Sequence, residues 1–495
     1  MKENYKLNKE NLPLLPKEVM VPMYDRSSIK TGIIHIGVGN FHRAHQAFYT
    51  DQLLQDGNTE WGICGIGLLE ADRKMYNTLK NQDGLYTLMV MEPGNKFSIS
   101  VIGSIVEYLF APDNPEAALE KMADPDVRII SLTITEGGYN FDSTTGDFIM
   151  NDTTIQWDLE HPDVPKTVYG YITRALQYRR DRGLPGLTIL SCDNIQHNGN
   201  VCKKMLLSYV KEAESGLIHW IGDNCSFPNS MVDRITPATS QSDITRLMDQ
   251  YRMEDNWPVT CEPFTQWVIE DDFTGGRPSW ESVGAQFVRD VTPYEKMKIR
   301  LLNAGHSLLG FAGTLYGYET IDETVRDPLF EAFLREFMDK EVTPVLGKIE
   351  GINIGDYKDS LIERFSNPNI KDKLARICGE SSAKIPKFLL PTIQEQLDRG
   401  GPVKYGALIV SMWCRFLELA GTSGYEYEIQ DAMGKELQKA AIDSIDDDPF
   451  SFLKIKAVFG DLVRSERFVE SYIQMINKLR INKIEKVVKD LIAYS

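Results

Sequence analysis

Residues 296–307, KMKIRLLNAGHS, place Lys298, Asn303 and His306 among leucines on a stretch with helical spacing. At about 100° per residue, Lys298, His306 and Asn303 fall at about 0°, 80° and 140° around a helix, within one broad face. Leu301, Leu308 and Leu309 supply apolar surface elsewhere around it. A solvated polar face is the plain reading, since Glu295 and Arg300 are close by. The chemical reading is acid–base work on an alcohol. A lysine withdrawn from water loses hydration of its ammonium form, so the neutral amine can take a hydroxyl proton near neutral pH. An asparagine amide can donate to that oxygen as negative charge grows on it. A histidine can orient a neighbouring hydroxyl. Together these groups suit hydride transfer from a secondary alcohol to a nicotinamide.

Metal-assisted alcohol oxidation has no ligand set here. The seven cysteines (Cys64, Cys192, Cys202, Cys225, Cys261, Cys378 and Cys414) are scattered and form no CxxC pair, which suits reduced thiols and no zinc site. His42 and His45 stand three apart with no third ligand nearby, so packing beside a glycine loop fits them better. Tyr294-x3-Lys298 has the spacing of the short-chain dehydrogenase pair. However, Pro293 puts Tyr294 at a helix start, and the lysine comes very late for such an enzyme.

A nicotinamide needs a dinucleotide site, and HIGVGNFHRAH offers one. Gly37-x-Gly39 follows a strand-like run and precedes a helix-like one, where glycines let the backbone approach a pyrophosphate. His42 takes the place of the third fingerprint glycine, so the motif is incomplete. The next strand-like run ends in GLLEADRK. There Glu70 or Asp72 can hold the ribose hydroxyls of NAD, while Arg73 is a counter-signal because an arginine can hold the extra phosphate of NADP. Capping of the next helix is the plain reading for both acids.

These residues need a scaffold. GIIHIGVGN, WGICGIGLLE, VRIISLT and LTILSCDN read as buried strands, alternating with helix-like FHRAHQAFYTDQLLQDG, NPEAALEKMA and TVYGYITRALQYRRDRG. TITEGGY reads as a loop after its strand. This alternation predicts an α/β fold with a Rossmann-type doubly wound sheet, and strand-like pieces continue through QWVIEDDF and AQFVRDV. After about residue 293 the apolar spacing becomes three-to-four, broken by Gly and Pro, which predicts a mostly α-helical C-terminal domain. We expect an NAD-binding domain over 1–290 and a helical substrate-binding and catalytic domain over 291–495, sharing a cleft.

Composition narrows the partners. With 71 acidic against 54 basic residues the net charge is −17, which argues against nucleic acid or an anionic membrane surface. No apolar run reaches the roughly 18 residues of a membrane span, and the first twenty residues lack a signal-peptide core. A cytoplasmic protein with a small, uncharged substrate is expected.

Several stretches together resemble the polyol-specific long-chain dehydrogenases and reductases. They are GVGNFHRAHQAFYTD at 37–51, SLTITEGGY at 131–139, SCDNIQHNG at 191–199, FPNSMVDRITP at 227–237, QWVIEDDF at 266–273, and Lys298-x4-Asn303-x2-His306. The likeness runs over nearly the whole chain. It implies Lys298 as general base, Asn194 and Asn303 as the amides that stabilise the alkoxide, His306 as a substrate-orienting residue, and Glu136 governing proton exchange of the lysine. Asp233, Arg376 and Lys384 match positions lining the polyol site. Gly37, Gly39, Asn40, Phe41 and Asp72 match the cofactor site, with NAD as cofactor and no metal. The implied reaction interconverts a polyol and its ketose, foremost D-mannitol and D-fructose. D-arabinitol, D-sorbitol and a hexuronate such as fructuronate are the alternatives, because CGESSAK at 378–384 departs from the members acting on mannitol. Gly137, where related uronate reductases carry lysine, favours an uncharged polyol. A monomer or small homo-oligomer is implied. A non-catalytic NAD-binding sensor is the rival from another class.

Overall fold

Five short, mostly apolar runs, one of them glycine-rich, build the main sheet of the first unit. In the computed structural model, which describes residues 4–92, 94, 96–142, 145–446 and 448–493, they form β1 (Thr31–Ile36), β2 (Gly62–Gly67), β3 (Ile105–Phe110), β4 (Ile129–Leu132) and β5 (Thr188–Ser191). All neighbours pair in parallel, in the order β3-β2-β1-β4-β5. This is the strand order of a dinucleotide-binding sheet. Side chains alternate between two cores: Ile34, Cys64, Ile130 and Ile189 enter one, while Ile33, Ile63, Ile129 and Leu190 enter the other. Both faces are therefore covered, as the continuous apolar runs predict. Each such side chain contributes about 1.5–3 kcal/mol by leaving water.

Two smaller sheets extend this unit. Ser230–Asp233 runs antiparallel to Gln266–Glu270, which pairs in parallel with Gln286–Val288. Tyr86–Glu92 pairs with Lys96–Ile102 and with Val259–Cys261.

The helix predicted over FHRAHQAFYTDQLLQ is in fact two, α1 (Asn40–Ala44) and α2 (Gln46–Gln55), broken at His45 with φ −121° and ψ −93°. The cause is a long-range competitor. Arg234 Nη1 donates to the Ala44 carbonyl at 2.6 Å, taking the acceptor that would otherwise continue the helix. Similarly, the loop predicted over TITEGGY contains a helical turn, Thr135–Gly138.

The chain divides into units Met1–Thr292 and Pro293–Ser495. The second is built of helices, among them Pro328–Phe337, Ile354–Phe365 and Glu466–Ile481. Two of these starts carry side-chain caps: Asp327, before Pro328, accepts from the Leu329 N–H, and Asn353 accepts from the Gly355 and Asp356 N–H groups. Three further helices matter below: α3 (Arg73–Asn81) in the first unit, then α4 (Ala304–Tyr316) and α5 (Leu390–Asp398) in the second. No helix among the described residues is long and apolar enough to cross a membrane.

Candidate active site

Gly37 closes β1 with φ +91°, and a Cβ there would lie 2.1 Å from the Thr133 carbonyl oxygen. Only glycine fits that turn. Gly39 stands before α1, and a Cβ on it would meet only the Gly37 oxygen, at 3.7 Å. The backbone there is open to a ligand, and the first α1 N–H groups have no side-chain cap. Such a turn fits the diphosphate of a dinucleotide.

Asn40 is committed inside the protein: its Nδ2 donates to Thr239 Oγ1 at 3.1 Å and Pro237 O at 3.3 Å, and its Oδ1 accepts from Arg43 Nη2 at 2.7 Å. Its side chain therefore shapes the turn, leaving its backbone N–H for a ligand. Phe41 is half-buried and stacks on His45 at 5.0 Å.

The missing third glycine has a structural substitute. His42 is buried and stacks on His35 of β1, with ring centroids 3.3 Å apart and planes within 11°. A ring-on-ring contact thus does the strand-to-helix packing that the third glycine usually permits. His35 reaches Ser131 Oγ at 2.8 Å and Thr133 Oγ1 at 2.9 Å, with the Gly37 carbonyl at 3.3 Å. Burial pushes both imidazoles down, His35 to about 3. Burial thus favours the uncharged form of both stacked rings.

Asp72 ends a short 3-10 turn, Glu70–Asp72, after β2. Its Oδ2 accepts from the Leu69 N–H at 2.9 Å, and a Cβ on Gly67 would lie 2.9 Å from the Asp72 Cβ. Asp72 therefore lies against the end of β2, the place of the ribose-binding acid in such folds. Glu70 is exposed and paired with Arg73.

Glu136 lies exposed on the Thr135–Gly138 turn, and Asn194 is exposed just beyond β5. Asp193 ties the two segments together. It accepts from the Ile134 and Thr135 N–H groups at 3.1 and 2.8 Å and from the Tyr139 hydroxyl at 2.8 Å. Sequence reasoning missed Asp193; its place next to Asn194, just after a strand, is the one signal that could have found it. Asp233 is buried at the end of its strand, opposite Gln266.

In the second unit Lys298 is only 7% exposed. It begins a π-helical segment, Lys298–Asn303, that Asn303 ends before α4. The Ala304 N–H donates to the Ile299 carbonyl, five residues back. The regular α-helix expected here is therefore corrected. With one residue more per turn, Asn303 and His306 come to about 50° and about 10° from Lys298, rather than about 140° and about 80°. His306 is half-buried, its ring 4.4 Å from Phe365. Glu395 of α5 grips the same segment, accepting from Lys296 at 2.8 Å and Arg300 at 2.6 Å. The Tyr294 hydroxyl donates to the Glu350 carbonyl at 2.7 Å, so it is occupied elsewhere.

Arg376 and Lys384 are engaged within the protein. Arg376 is exposed and pairs with Asp372, Nε to Oδ1 at 2.7 Å. Lys384 Nζ donates to the carbonyls of Gly379, Ile377 and Arg376 at 2.6, 3.2 and 3.4 Å. All three ammonium donors are used on the end of helix Leu374–Cys378. Burial, then the charge of Arg376, holds that ammonium below the ordinary lysine range. Among the described residues, no group of three or more His, Cys, Asp or Glu side chains is placed to hold a metal ion.

Known proteins match nearly the whole chain. The mannitol dehydrogenase Rossmann domain matches residues 31–282, and the mannitol dehydrogenase C-terminal domain matches 290–480. The mannitol 2-dehydrogenase of Aspergillus oryzae is 44% identical over 484 residues, covering 96% of this chain and 95% of that one. That of Phaeosphaeria nodorum is 44% identical over 478 residues, covering 94% and 82%. Among solved structures, the Pseudomonas fluorescens mannitol 2-dehydrogenase in ternary complex with NAD and D-mannitol has a TM-score of 0.85 at 44% identity, covering 99% of this chain and 100% of that one. A substrate-free D-sorbitol dehydrogenase has a TM-score of 0.92 at 38% identity, covering 97% and 100%.

Proposed function

Because the chain belongs to the mannitol dehydrogenase family, we propose that it is an NAD-dependent polyol dehydrogenase that interconverts D-mannitol and D-fructose, with Lys298 as its base. The observation that supports the reading is a π-helical turn that begins with the buried Lys298 and ends with Asn303.

The turn Gly37–Phe41 fits the cofactor's diphosphate through its backbone, and Asp72 fits an adenosine ribose hydroxyl. When bound, NAD supplies the acceptor for the hydride that leaves the carbinol carbon. The protein's own part is to manage the hydroxyl. Lys298, as the neutral amine, takes the hydroxyl proton; removing water from an ammonium favours that neutral form. Asn303 and Asn194 donate amide N–H groups to the oxygen as it gains charge, which is worth about 2.7–4 kcal/mol per well-placed donor. His306 orients the reacting hydroxyl, and Glu136 passes the lysine's proton to solvent. In the reverse direction protonated Lys298 returns the proton to the alkoxide. Asp233, Arg376 and Lys384 are assigned to the remaining polyol hydroxyls; for Arg376 and Lys384 this requires giving up part of their present bonding. No metal takes part in this scheme.

The likeness to a D-sorbitol dehydrogenase supports a second reading in which D-sorbitol is the better polyol. NADH oxidation by chelated protein, with D-fructose, D-xylulose and D-fructuronate, and NAD reduction with D-mannitol, D-sorbitol and D-arabinitol, tests both. Turnover of fructose and mannitol that survives chelation and vanishes in Lys298→Ala supports the proposal. Preference for sorbitol keeps the mechanism and replaces the substrate. Absence of turnover with every compound favours a binding protein that senses NAD.

A further inference from the structure

Arg73 is the first residue of α3, directly after Asp72. An arginine beside the ribose-binding acid is ordinarily the group that receives the 2′-phosphate of NADP. Here four of the five guanidinium N–H donors are already engaged. Nε and Nη2 donate to the Glu70 carboxylate, the latter at 3.0 Å, while Nη1 and Nη2 donate to Asp113 at 3.2 and 3.0 Å. The guanidinium also lies over the Phe110 ring, 4.4 Å from its centre.

Phe110 ends β3 and is paired in register with Gly67, the last residue of β2. Gly67 is the residue against which Asp72 lies. The lock therefore stands at the carboxyl ends of β2 and β3, where such sheets receive the adenosine half of a dinucleotide.

Stability alone is a poor reason for this arrangement. Arg73, Glu70 and Asp113 side chains are 40%, 69% and 55% exposed, and exposed ion pairs contribute little to folding. Nor is it a local helix-start habit, since Asp113 comes forty residues later in the chain. What the lock does change is the charge available to a ligand. One cation is shared by two carboxylates beside a third, Asp72, so a phosphate of charge about −1.5 to −2 would meet net negative charge.

We propose that Glu70 and Asp113 are specificity-determining residues: by sequestering Arg73 they deny the 2′-phosphate of NADP its partner and so keep the enzyme selective for NAD. This rests on the cofactor reading given above, but concerns residues that reading does not use.

The test is calorimetric binding of NADH and NADPH, with turnover of each measured in parallel, for the wild type, Asp113→Asn, Glu70→Gln/Asp113→Asn, and that double variant with Arg73→Ala. Binding decides the proposal and turnover decides the function, so failure of one is distinguishable from failure of the other. The double variant is expected to shift the NADPH:NADH affinity ratio toward NADPH by about tenfold, Asp113→Asn by less. Arg73→Ala is expected to remove that gain. An unchanged ratio in the double variant overturns the proposal. A gain that survives Arg73→Ala also overturns it, because loss of negative charge would then suffice. Absence of binding of either dinucleotide to the wild type overturns both this and the cofactor reading.

Discussion

Lys298 and Asn303 begin and end one π-helical turn, so the two residues project from nearly the same side of the chain although five positions apart. In a regular α-helix they would diverge by about 140°. If they act on one oxygen, one taking the proton and the other donating to the resulting charge, their losses should not add. Lys298→Ala is expected to lower kcat by about 10²–10⁴ and Asn303→Ala by about 10²–10³, with the double variant little worse than Lys298→Ala. Steady-state kinetics of mannitol oxidation measures all three. Additive losses would mean that the two residues work at different steps.

Asp72 lies against the end of β2, whereas Glu70 is occupied by Arg73. If Asp72 holds the adenosine ribose, removing its carboxylate takes away both a hydroxyl acceptor and a source of repulsion for a 2′-phosphate. Asp72→Ala should therefore weaken NAD and relax its preference over NADP, read as the ratio of kcat/KM values. Unchanged discrimination would move the ribose contact to another acid.

Glu395 is held by Arg300 first and Lys296 second, which brings its carboxyl down to about 2 from an ordinary 4.5. A carboxyl lowered on folding contributes stability above the unfolded value and loses it as pH falls through the folded one. The group is more than a third exposed, so solvent screening limits the contribution to about 1 kcal/mol. Glu395→Gln should be less stable by about that amount at pH 7, and the gap should narrow steadily as pH falls below about 4.5. Urea denaturation of both proteins at pH 7, 5 and 4 measures it. A gap that stays constant over this range would assign the effect to packing.

The sheet and the glycine turn were legible because they rest on local chemistry: apolar runs buried on both faces, and a Gly37 that no other residue can replace. The helical second half was legible for the same reason, through its three-to-four spacing. The break at His45 was not, because it depends on Arg234 reaching Ala44 from 190 residues away. Nor was the π turn, since one extra residue in a turn leaves an apolar pattern that still passes for α-helical over a dozen residues. The histidine at the third glycine position could be seen as a departure. Its partner, His35, lies on the preceding strand and was visible only in three dimensions.

Lys384 does work in the fold that the sequence left unseen. The resemblance assigns it to the polyol, yet its ammonium donates to three carbonyls where helix Leu374–Cys378 ends, at a turn in which Glu380 has φ +50°. Lys384→Met keeps the length of the stem and removes the donors, leaving those carbonyls without their partner. The loss expected is about 1–2 kcal/mol, which for a unit of about 200 residues lowers its Tm by roughly 2–8 °C. Scanning calorimetry gives that shift, and kinetics on the same variant gives the KM for mannitol. If Lys384 both caps the helix and serves the substrate, Tm falls and KM rises together. A KM that rises at constant Tm would mean that the carbonyl contacts contribute no stability and that the residue acts on the substrate alone.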